Sequence, residues 1–130
     1  MDEHREDRST VEQLYDAFWR RDGAGLAALL HRDFTGYVSE GMPLGVGGTI
    51  PSRASMLNLW STIAARFRVA PVPEEIVSAR DGRFFVLGRY RGTGAAGAPL
   101  DAAFVHVIEV RDGAIVSLKQ VTDTARWTAN

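Results

Sequence analysis

The most constraining feature of this chain is a pair of Asp-Gly dipeptides, each followed by a run of apolar and β-branched residues. Asp112 and Gly113 separate FVHVIEVR from AIVSLKQV, while Asp81 and Gly82 precede RFFVLGRYRG. Asp-Gly is a strong signal for a tight β-hairpin turn, because both residues tolerate a positive φ angle. The second half of the chain is therefore predicted to be an antiparallel meander of strands.

The beginning of the chain has helical periodicity instead. Ser9 and Glu12 form a capping box, which predicts that the first helix begins at Ser9. Residues 1–8 are predicted to be a flexible N-terminal tail, and residues 9–130 a single domain. Apolar residues then recur at spacings of three and four, as one buried helix face requires. These residues are Val11, Leu14, Tyr15 and Phe18, with Trp19 at the edge of the stripe.

Two more helices are predicted before the meander. Asp22 is a candidate N-cap for a short second helix, and Pro51 with Ser52 opens a third. Pro71 and Pro73 cannot donate ladder hydrogen bonds, so the segment RVAPVPEEIVSA is predicted at a sheet edge. This order of elements predicts an α+β fold, in which three N-terminal helices pack on the concave side of a strongly curved, mostly antiparallel sheet.

Composition limits the classes of function. The chain has 130 residues, 45% of them hydrophobic, which suits one packed core. Its 15 basic and 16 acidic residues form no block that would follow a phosphate backbone, which argues against a nucleic-acid partner. The absence of cysteine and the dispersal of the three histidines predict that no metal is bound. No apolar run approaches the roughly 20 residues that span a bilayer, so we expect a cytoplasmic protein with no membrane partner.

Four phrases of the sequence resemble a known superfamily. EQLYDAFWRRD, GRYRGT, FVHVIEVRDGAIVSLKQ and TDTA are similar to nuclear transport factor 2-like proteins, in particular to the SnoaL-like polyketide cyclase branch. The resemblance implies a cone-shaped fold whose bent sheet encloses a mostly apolar cavity. It also implies a homodimer that works without cofactor or metal. Members include ketosteroid isomerases, limonene epoxide hydrolases, dehydratases, cyclases and non-catalytic binding proteins, so the fold alone does not identify the chemistry.

The resemblance indicates which residues are candidates for catalysis. A pocket histidine of the resembling cyclases falls at His106, and their acid/base aspartate falls at Gln120, whose amide cannot exchange a proton near neutral pH. Tyr15 lies where the ketosteroid isomerases have an oxyanion-donating tyrosine, and their base position falls between Val38 and Glu40. The catalytic candidates are therefore His106, Tyr15 and Gln120, with Glu40 as a base only if its loop turns inward.

Strand alternation indicates which way these side chains point. His106 shares a face with Phe104 and Ile108, and the opposite face carries Glu109, which favours water. The His106 face is therefore predicted to be interior, and the parity of the next strand turns Gln120 inward as well. From the residues alone, a buried neutral imidazole bonded to a neighbour is favoured, whereas the resemblance favours a pocket residue that titrates.

Other side chains are candidates for binding rather than reacting. Arg89 shares a parity with Phe85 and Leu87, so it would bind an anionic or carbonyl group if that face is interior and would be solvated if it is not. Arg89 and Asp123 also match two members of the Asp-Arg-Asp set of limonene epoxide hydrolases, although alternation favours an outward Asp123. The predicted ligand-binding residues are Trp19, Tyr37, Glu40, Trp60, Phe85, Leu87, Arg89, Phe104 and Asp123.

Three functions remain open at this point. The leading hypothesis is a cofactor-independent isomerase, cyclase or dehydratase acting on an apolar, carbonyl-containing ligand, with His106 as acid/base and Tyr15 and Gln120 polarising the substrate oxygen. The alternatives are a non-catalytic binding module, favoured by Gln120, and a dimerisation domain. A homodimer is predicted through the outer sheet face, which is too apolar for open water. The residues predicted on that face are Val105, Val107 and Val121.

Overall fold

The computed structural model describes the backbone of residues 2–129 and the side chains of residues 4–129. Its helices are α1 (Asp2–Trp19), α2 (Gly23–Leu29), α3 (Arg53–Ala64) and the short α4 (Thr124–Thr128). Its strands are β1 (Leu30–Val38), β2 (Gly48–Ile50), β3 (Arg68–Ser78), β4 (Arg83–Thr93), β5 (Pro99–Arg111) and β6 (Ala114–Thr122). A single 3-10 turn, Pro43–Gly45, lies in the glycine-rich loop between β1 and β2.

The six strands form one curved sheet in the order β2-β1-β6-β5-β4-β3. Neighbouring strands are antiparallel, except that β1 and β6 run parallel. Helices α1 and α3 pack on the sheet and cover its inner face, so the predicted α+β class and cone-like architecture are confirmed. The parallel pair and the fourth helix were not predicted, because both depend on contacts between distant parts of the chain. No helix within residues 2–129 has the length and apolar character that crossing a membrane requires.

Both Asp-Gly turns adopt the backbone that the sequence predicts. Asp112 and Gly113 have φ angles of 54° and 78°, and the corresponding values at Asp81 and Gly82 are 58° and 73°. Two consecutive positive φ angles give a turn whose twist matches that of the strands it joins. The β3–β4 and β4–β5 ladders continue this meander, with β3 at the predicted edge. After the Asp112-Gly113 turn the β5–β6 ladder shifts by one residue between Val110 and Glu109, and this shift places His106 opposite Gln120.

The predicted start of the first helix is wrong. Helix α1 begins at Asp2, so residues 2–8 are helical rather than a tail, and the Ser9 hydroxyl accepts a hydrogen bond from Gln13 instead of capping the helix. Contacts with the sheet explain the extension. The Arg8 guanidinium donates to the Ile76 carbonyl at 3.3 Å, and the His4 ring stacks on Phe84 with centroids 6.1 Å apart. Packing against the sheet stabilises the helical turns of residues 2–8, which the capping signal at Ser9 placed outside the helix.

The other two helix starts are confirmed. The Asp22 carboxylate accepts from the Gly25 backbone N–H at 2.9 Å, and the Ser52 hydroxyl accepts from the Ser55 backbone N–H at 3.1 Å. Each cap satisfies a backbone donor that the first helical turn leaves free. The caps fix where α2 and α3 begin, and both helices contribute residues to the interior cavity.

Candidate functional site

A cavity of about 360 Å³ lies between the helices and the sheet. Its walls are mainly apolar, and its polar groups on the sheet side are Tyr90, His106 and Gln120. On the helix side, only Arg21 and Ser61 are polar. The remaining lining residues are Phe18, Gly23, Leu26, Ala27, Val38, Met42, Leu57, Leu59, Trp60, Ile63, Ala64, Val69, Pro71, Leu118 and Trp127. An apolar cavity with a few convergent polar groups is the usual form of a small-molecule site.

His106 is the centre of the polar group. It is 2% exposed, and both ring nitrogens are hydrogen-bonded to tyrosines. The Tyr15 hydroxyl lies 2.7 Å from Nδ1, and the Tyr90 hydroxyl lies 2.7 Å from Nε2. A neutral imidazole has one donor and one acceptor nitrogen, so one tyrosine donates to the ring and the other accepts from it.

Gln120 connects this group to the backbone. It stands opposite His106 in the β5–β6 ladder. Its side-chain oxygen accepts from the Ser39 backbone N–H at 3.1 Å, and its amide nitrogen donates to the Tyr90 hydroxyl at 3.0 Å. The Ser39 hydroxyl in turn donates to the Gln120 carbonyl and accepts from the Thr122 N–H. Because the Ser39 N–H can only donate, it fixes which end of the Gln120 amide faces the cavity.

Phe104 holds the imidazole from one side. Its ring is stacked on His106 with centroids 4.0 Å apart and an interplanar angle of 16°. Gly88 makes this possible, because a Cβ at that position would lie 2.7 Å from the Phe104 ring and would clash with the Val72 carbonyl oxygen. The Phe104 ring therefore occupies the space that a side chain at position 88 of β4 would fill.

Burial keeps all three ring groups of the site neutral near pH 7. Desolvation lowers the pKa of His106 from 6.5 to about 3. Desolvation also raises the pKa of Tyr90, against a smaller opposing effect of the hydrogen bond from Gln120. Tyr15 has a raised pKa for the same first cause, with the neighbouring Tyr90 as the second. The polar wall on the sheet side therefore presents dipoles rather than charges to a ligand, and the charged group of the lining is Arg21 on the helix side.

The structure brings several of the predicted site residues together. His106, Gln120 and Trp60 line the cavity. Tyr15 and Phe104 are buried outside the lining and contact His106, so they support the site without facing the cavity. Strand alternation predicted the inward direction of His106 and Gln120 correctly, because Glu109 marks the solvated parity of β5 and Lys119 marks that of β6.

Trp60 is the one predicted ligand-binding residue that belongs to the cavity lining, and four of the other eight lie at the surface of α1, β1, the loop after β1 and the start of α4. Trp19 is 71% exposed, because Phe18, one position earlier, takes the buried place on α1. Tyr37 and Glu40 pair with each other at the surface at 3.4 Å, so Glu40 is not an interior base. Asp123 is exposed at the start of α4, where it pairs with Arg126 at 3.6 Å. Asp123 therefore has the structural role that alternation favoured.

The predicted ligand-binding residues Phe85, Leu87 and Arg89 share one face of β4, and they could line a cavity only if that face were interior. In the structure the other face of β4 is interior. Phe85 and Leu87 are exposed on the outer face, and Arg89 forms an ion pair there with Asp101. Both faces of β4 carry apolar residues, so hydrophobicity alone does not show which face is buried. The arginines at 83, 89 and 91 share the outer parity, and their preference for water is the signal that identifies it.

Sequence reasoning missed three lining residues that matter. Tyr90 is the cavity-facing partner of both His106 and Gln120. It continues the inner parity of Phe84, Val86 and Gly88, so the β4 charge signal would have found it. The rings of Phe18 and Trp127 also line the cavity, and Trp127 comes from the unpredicted helix α4, for which no sequence signal was available. Within residues 2–129, no cluster of three or more histidine, aspartate or glutamate side chains is arranged to hold a metal ion.

The curved sheet, its covering helices and the cavity between them define a nuclear transport factor 2-like ligand-binding domain. A family model for the SnoaL-like domain matches residues 11–118, and the chain belongs to that family. The family expectation drawn from EQLYDAFWRRD and FVHVIEVRDGAIVSLKQ is thereby confirmed.

Solved structures support the same assignment. An NTF2-like protein of unknown function from Burkholderia pseudomallei is 30% identical, with 92% of each chain covered and a TM-score of 0.84. TerC, co-crystallised with polyporic acid, is 25% identical over 95% of this chain and 96% of its own, with a TM-score of 0.85. IdmH of Streptomyces antibioticus, a candidate polyketide cyclase, shares the fold at 24% identity, with 95% and 96% coverage and a TM-score of 0.79. The comparison with curated proteins finds no significant match.

Proposed function

We propose that this protein binds a small, mostly apolar, carbonyl-containing molecule in the cavity between the helices and the sheet. The observation that carries the proposal is the convergence of Tyr90, His106 and Gln120 on one wall of a cavity that is otherwise apolar. The apolar walls would bury the body of the ligand, and the polar wall would orient its oxygen. A volume of about 360 Å³ suits a ligand of two or three fused rings.

TerC supports a small-molecule ligand. That protein is 25% identical to this chain and was co-crystallised with polyporic acid. Aromatic rings also line the cavity of this chain. Phe18 and Trp60 meet edge to face with centroids 4.8 Å apart, and Tyr90 and Trp127 do so at 5.0 Å. Such walls favour a flat ligand.

The proposal does not include His106 as a general acid or base. A pKa near 3 leaves the imidazole neutral at physiological pH and makes it a weak base, and both nitrogens are already bonded to tyrosines. Gln120 cannot exchange a proton, and no aspartate or glutamate belongs to the described lining. Binding is therefore the function that the site supports best.

The experiment follows the three tryptophan indole N–H signals by NMR while 1-tetralone, a bicyclic ketone, is added. Trp60 and Trp127 line the cavity and should shift, whereas exposed Trp19 should not. Ala64 is exposed at the edge of the cavity lining, so Ala64→Phe should obstruct the cavity and reduce the shifts. Ala65→Phe is the matched control, because Ala65 is the next residue and does not line the cavity. The proposal fails if Trp19 shifts as much as the others, or if no signal moves at millimolar ketone.

A cofactor-independent isomerase, cyclase or dehydratase is the second candidate. The observation that favours it is the pair of donors, the Tyr90 hydroxyl and the Gln120 amide, which together could stabilise an oxyanion that develops on a substrate carbonyl. Because the described lining offers no general base, solvent deuteroxide would remove the α proton, and we expect such an enzyme to accelerate exchange of the α protons of 1-tetralone in D₂O by stabilising the enolate. Exchange no faster than in the Tyr90→Phe variant would leave binding as the function.

We further propose that the protein forms a homodimer through the outer sheet face. Leu87 stands opposite Val105, and Val105 stands opposite Val121, so these exposed residues form a continuous apolar row across three strands. A second copy would cover this row. Val105→Arg should turn a dimer into a monomer in sedimentation velocity, whereas Trp19→Arg, which alters an exposed apolar residue of α1, should not. A monomeric native protein at micromolar concentration would contradict the proposal.

A further inference from the structure

The hydrogen-bond partners of the buried ring groups determine where each proton lies. Tyr15 is buried, and within the described part of the chain its hydroxyl has a single hydrogen-bond partner, Nδ1 of His106. If the imidazole carried its proton on Nδ1, the Tyr15 hydroxyl would accept that bond and its own proton would have no acceptor. An unsatisfied buried donor is unfavourable, so Tyr15 donates and Nδ1 accepts.

The direction of the second bond follows from the first. With Nδ1 as acceptor, the neutral imidazole carries its proton on Nε2 and donates it to the Tyr90 oxygen. The Gln120 amide also donates to that oxygen, since the Ser39 N–H fixes the amide orientation. Two donors therefore occupy the lone pairs of the Tyr90 oxygen. Its own proton has to point elsewhere, and Tyr90 lines the cavity.

We infer that the Tyr90 hydroxyl is the group that binds the ligand, as a hydrogen-bond donor, and that His106 and Gln120 are positioning residues that aim its proton into the cavity. The inference rests on the proposed function and deepens it by naming the ligand group. That group is an acceptor without a proton of its own to offer, such as a ketone or quinone oxygen. Two donors on the Tyr90 oxygen also polarise its O–H bond, which strengthens donation to the ligand.

The first test concerns the free protein and needs no ligand. In a variant with His4→Gln and His31→Gln, His106 is the only histidine left. Its two nitrogen chemical shifts, measured by ¹⁵N NMR, report which nitrogen carries the proton. Protonation of Nε2 is the expected result. Protonation of Nδ1 would overturn the inference, because the Tyr90 proton would then be engaged with His106, and it would leave the binding proposal intact.

The second test compares two ligands that differ only in the oxygen. 1-Tetralone and its hydrocarbon counterpart tetralin would be titrated into wild type and Tyr90→Phe. Loss of one hydrogen bond should weaken 1-tetralone about threefold to tenfold and leave tetralin unchanged. Equal weakening of both ligands, or no effect on 1-tetralone, would overturn the inference. Binding of neither ligand to wild type would instead contradict the proposed function, while the ¹⁵N result would still decide the proton arrangement.

Gln120→Leu gives a readout that a purely structural role would not produce. It removes one of the two donors to the Tyr90 oxygen and keeps Tyr90 itself. The Tyr90 proton is then free to turn, so the preference for 1-tetralone over tetralin should fall; it is measured as the ratio of the two affinities, because Gln120 itself lines the cavity. An unchanged preference in a folded Gln120→Leu protein would contradict the positioning role.

Discussion

The inner and outer faces of β4 and β5 depart from the usual distribution of polar and apolar residues in opposite ways. The inner face buries the polar His106 against Gln120, and each of the two has hydrogen-bond partners. The outer face exposes the apolar Phe85, Leu87 and Val105. Buried polar groups and exposed apolar patches are the informative exceptions in a folded protein. The inner exception forms the site that we propose for a ligand, and the outer one forms the surface that we propose for a dimer.

The largest expected effect contrasts two adjacent phenylalanines of β4. Phe84 is 1% exposed and Phe85 is 37% exposed. Phe84→Ala should lower the free energy of unfolding by about 3–5 kcal/mol, because it leaves a cavity in the core, whereas Phe85→Ala should lower it by less than about 1 kcal/mol. Denaturant unfolding at low protein concentration measures both. Similar losses would mean that Phe85 is as well packed as Phe84 within the single chain, contrary to their different exposures.

The buried imidazole should make stability depend on pH. Its pKa falls from 6.5 to about 3 on folding, so between these values the unfolded chain binds a proton that the native protein does not. The free energy of unfolding should therefore be unaffected by His106 above pH 6.5, and should fall by up to about 1.4 kcal/mol per pH unit as the pH drops below 6.5. The slope should diminish in His106→Asn and persist in His31→Asn. Equal slopes in wild type and His106→Asn would contradict this account.

A smaller effect is expected from removing single tyrosine hydroxyls. Tyr15→Phe leaves Nδ1 of the buried His106 without a donor and should lower the free energy of unfolding by about 1–3 kcal/mol. Tyr37→Phe removes a long surface bond to Glu40 and should change it by less than about 0.5 kcal/mol. Thermal unfolding of the two variants provides the comparison. An unchanged melting temperature in Tyr15→Phe would show that the hydrogen bond between Tyr15 and His106 adds no net stability.

The smallest effect should come from the ion pair on the outer face. The hydrogen bond from Arg89 is the main cause of the lowered pKa of Asp101. Arg89→Gln should raise that pKa toward its ordinary value, as followed by ¹³C NMR of the carboxyl group. The accompanying change in melting temperature should be slight and should disappear at roughly 1 M salt, because exposed charges are screened. A loss of ligand affinity in this variant would contradict the outward placement of Arg89.

The amino-acid sequence determined the features that depend on neighbours along the chain. The caps at Asp22 and Ser52, the Asp112-Gly113 hairpin and the inward direction of His106 follow from local backbone preference and from the periods of helix and strand. Each is fixed by a few consecutive residues, so each was predicted correctly.

The tertiary structure alone decided which of these elements meet. Tyr15 and His106 are 91 residues apart, and their hydrogen bond exists because α1 lies across the strand that carries the imidazole. The interior face of β4, the contact between Tyr90 and His106 and the position of Trp127 all depend on how strands and helices are stacked. A local pattern states which side of an element is apolar, but where both sides are apolar only packing against distant residues selects the side that is buried.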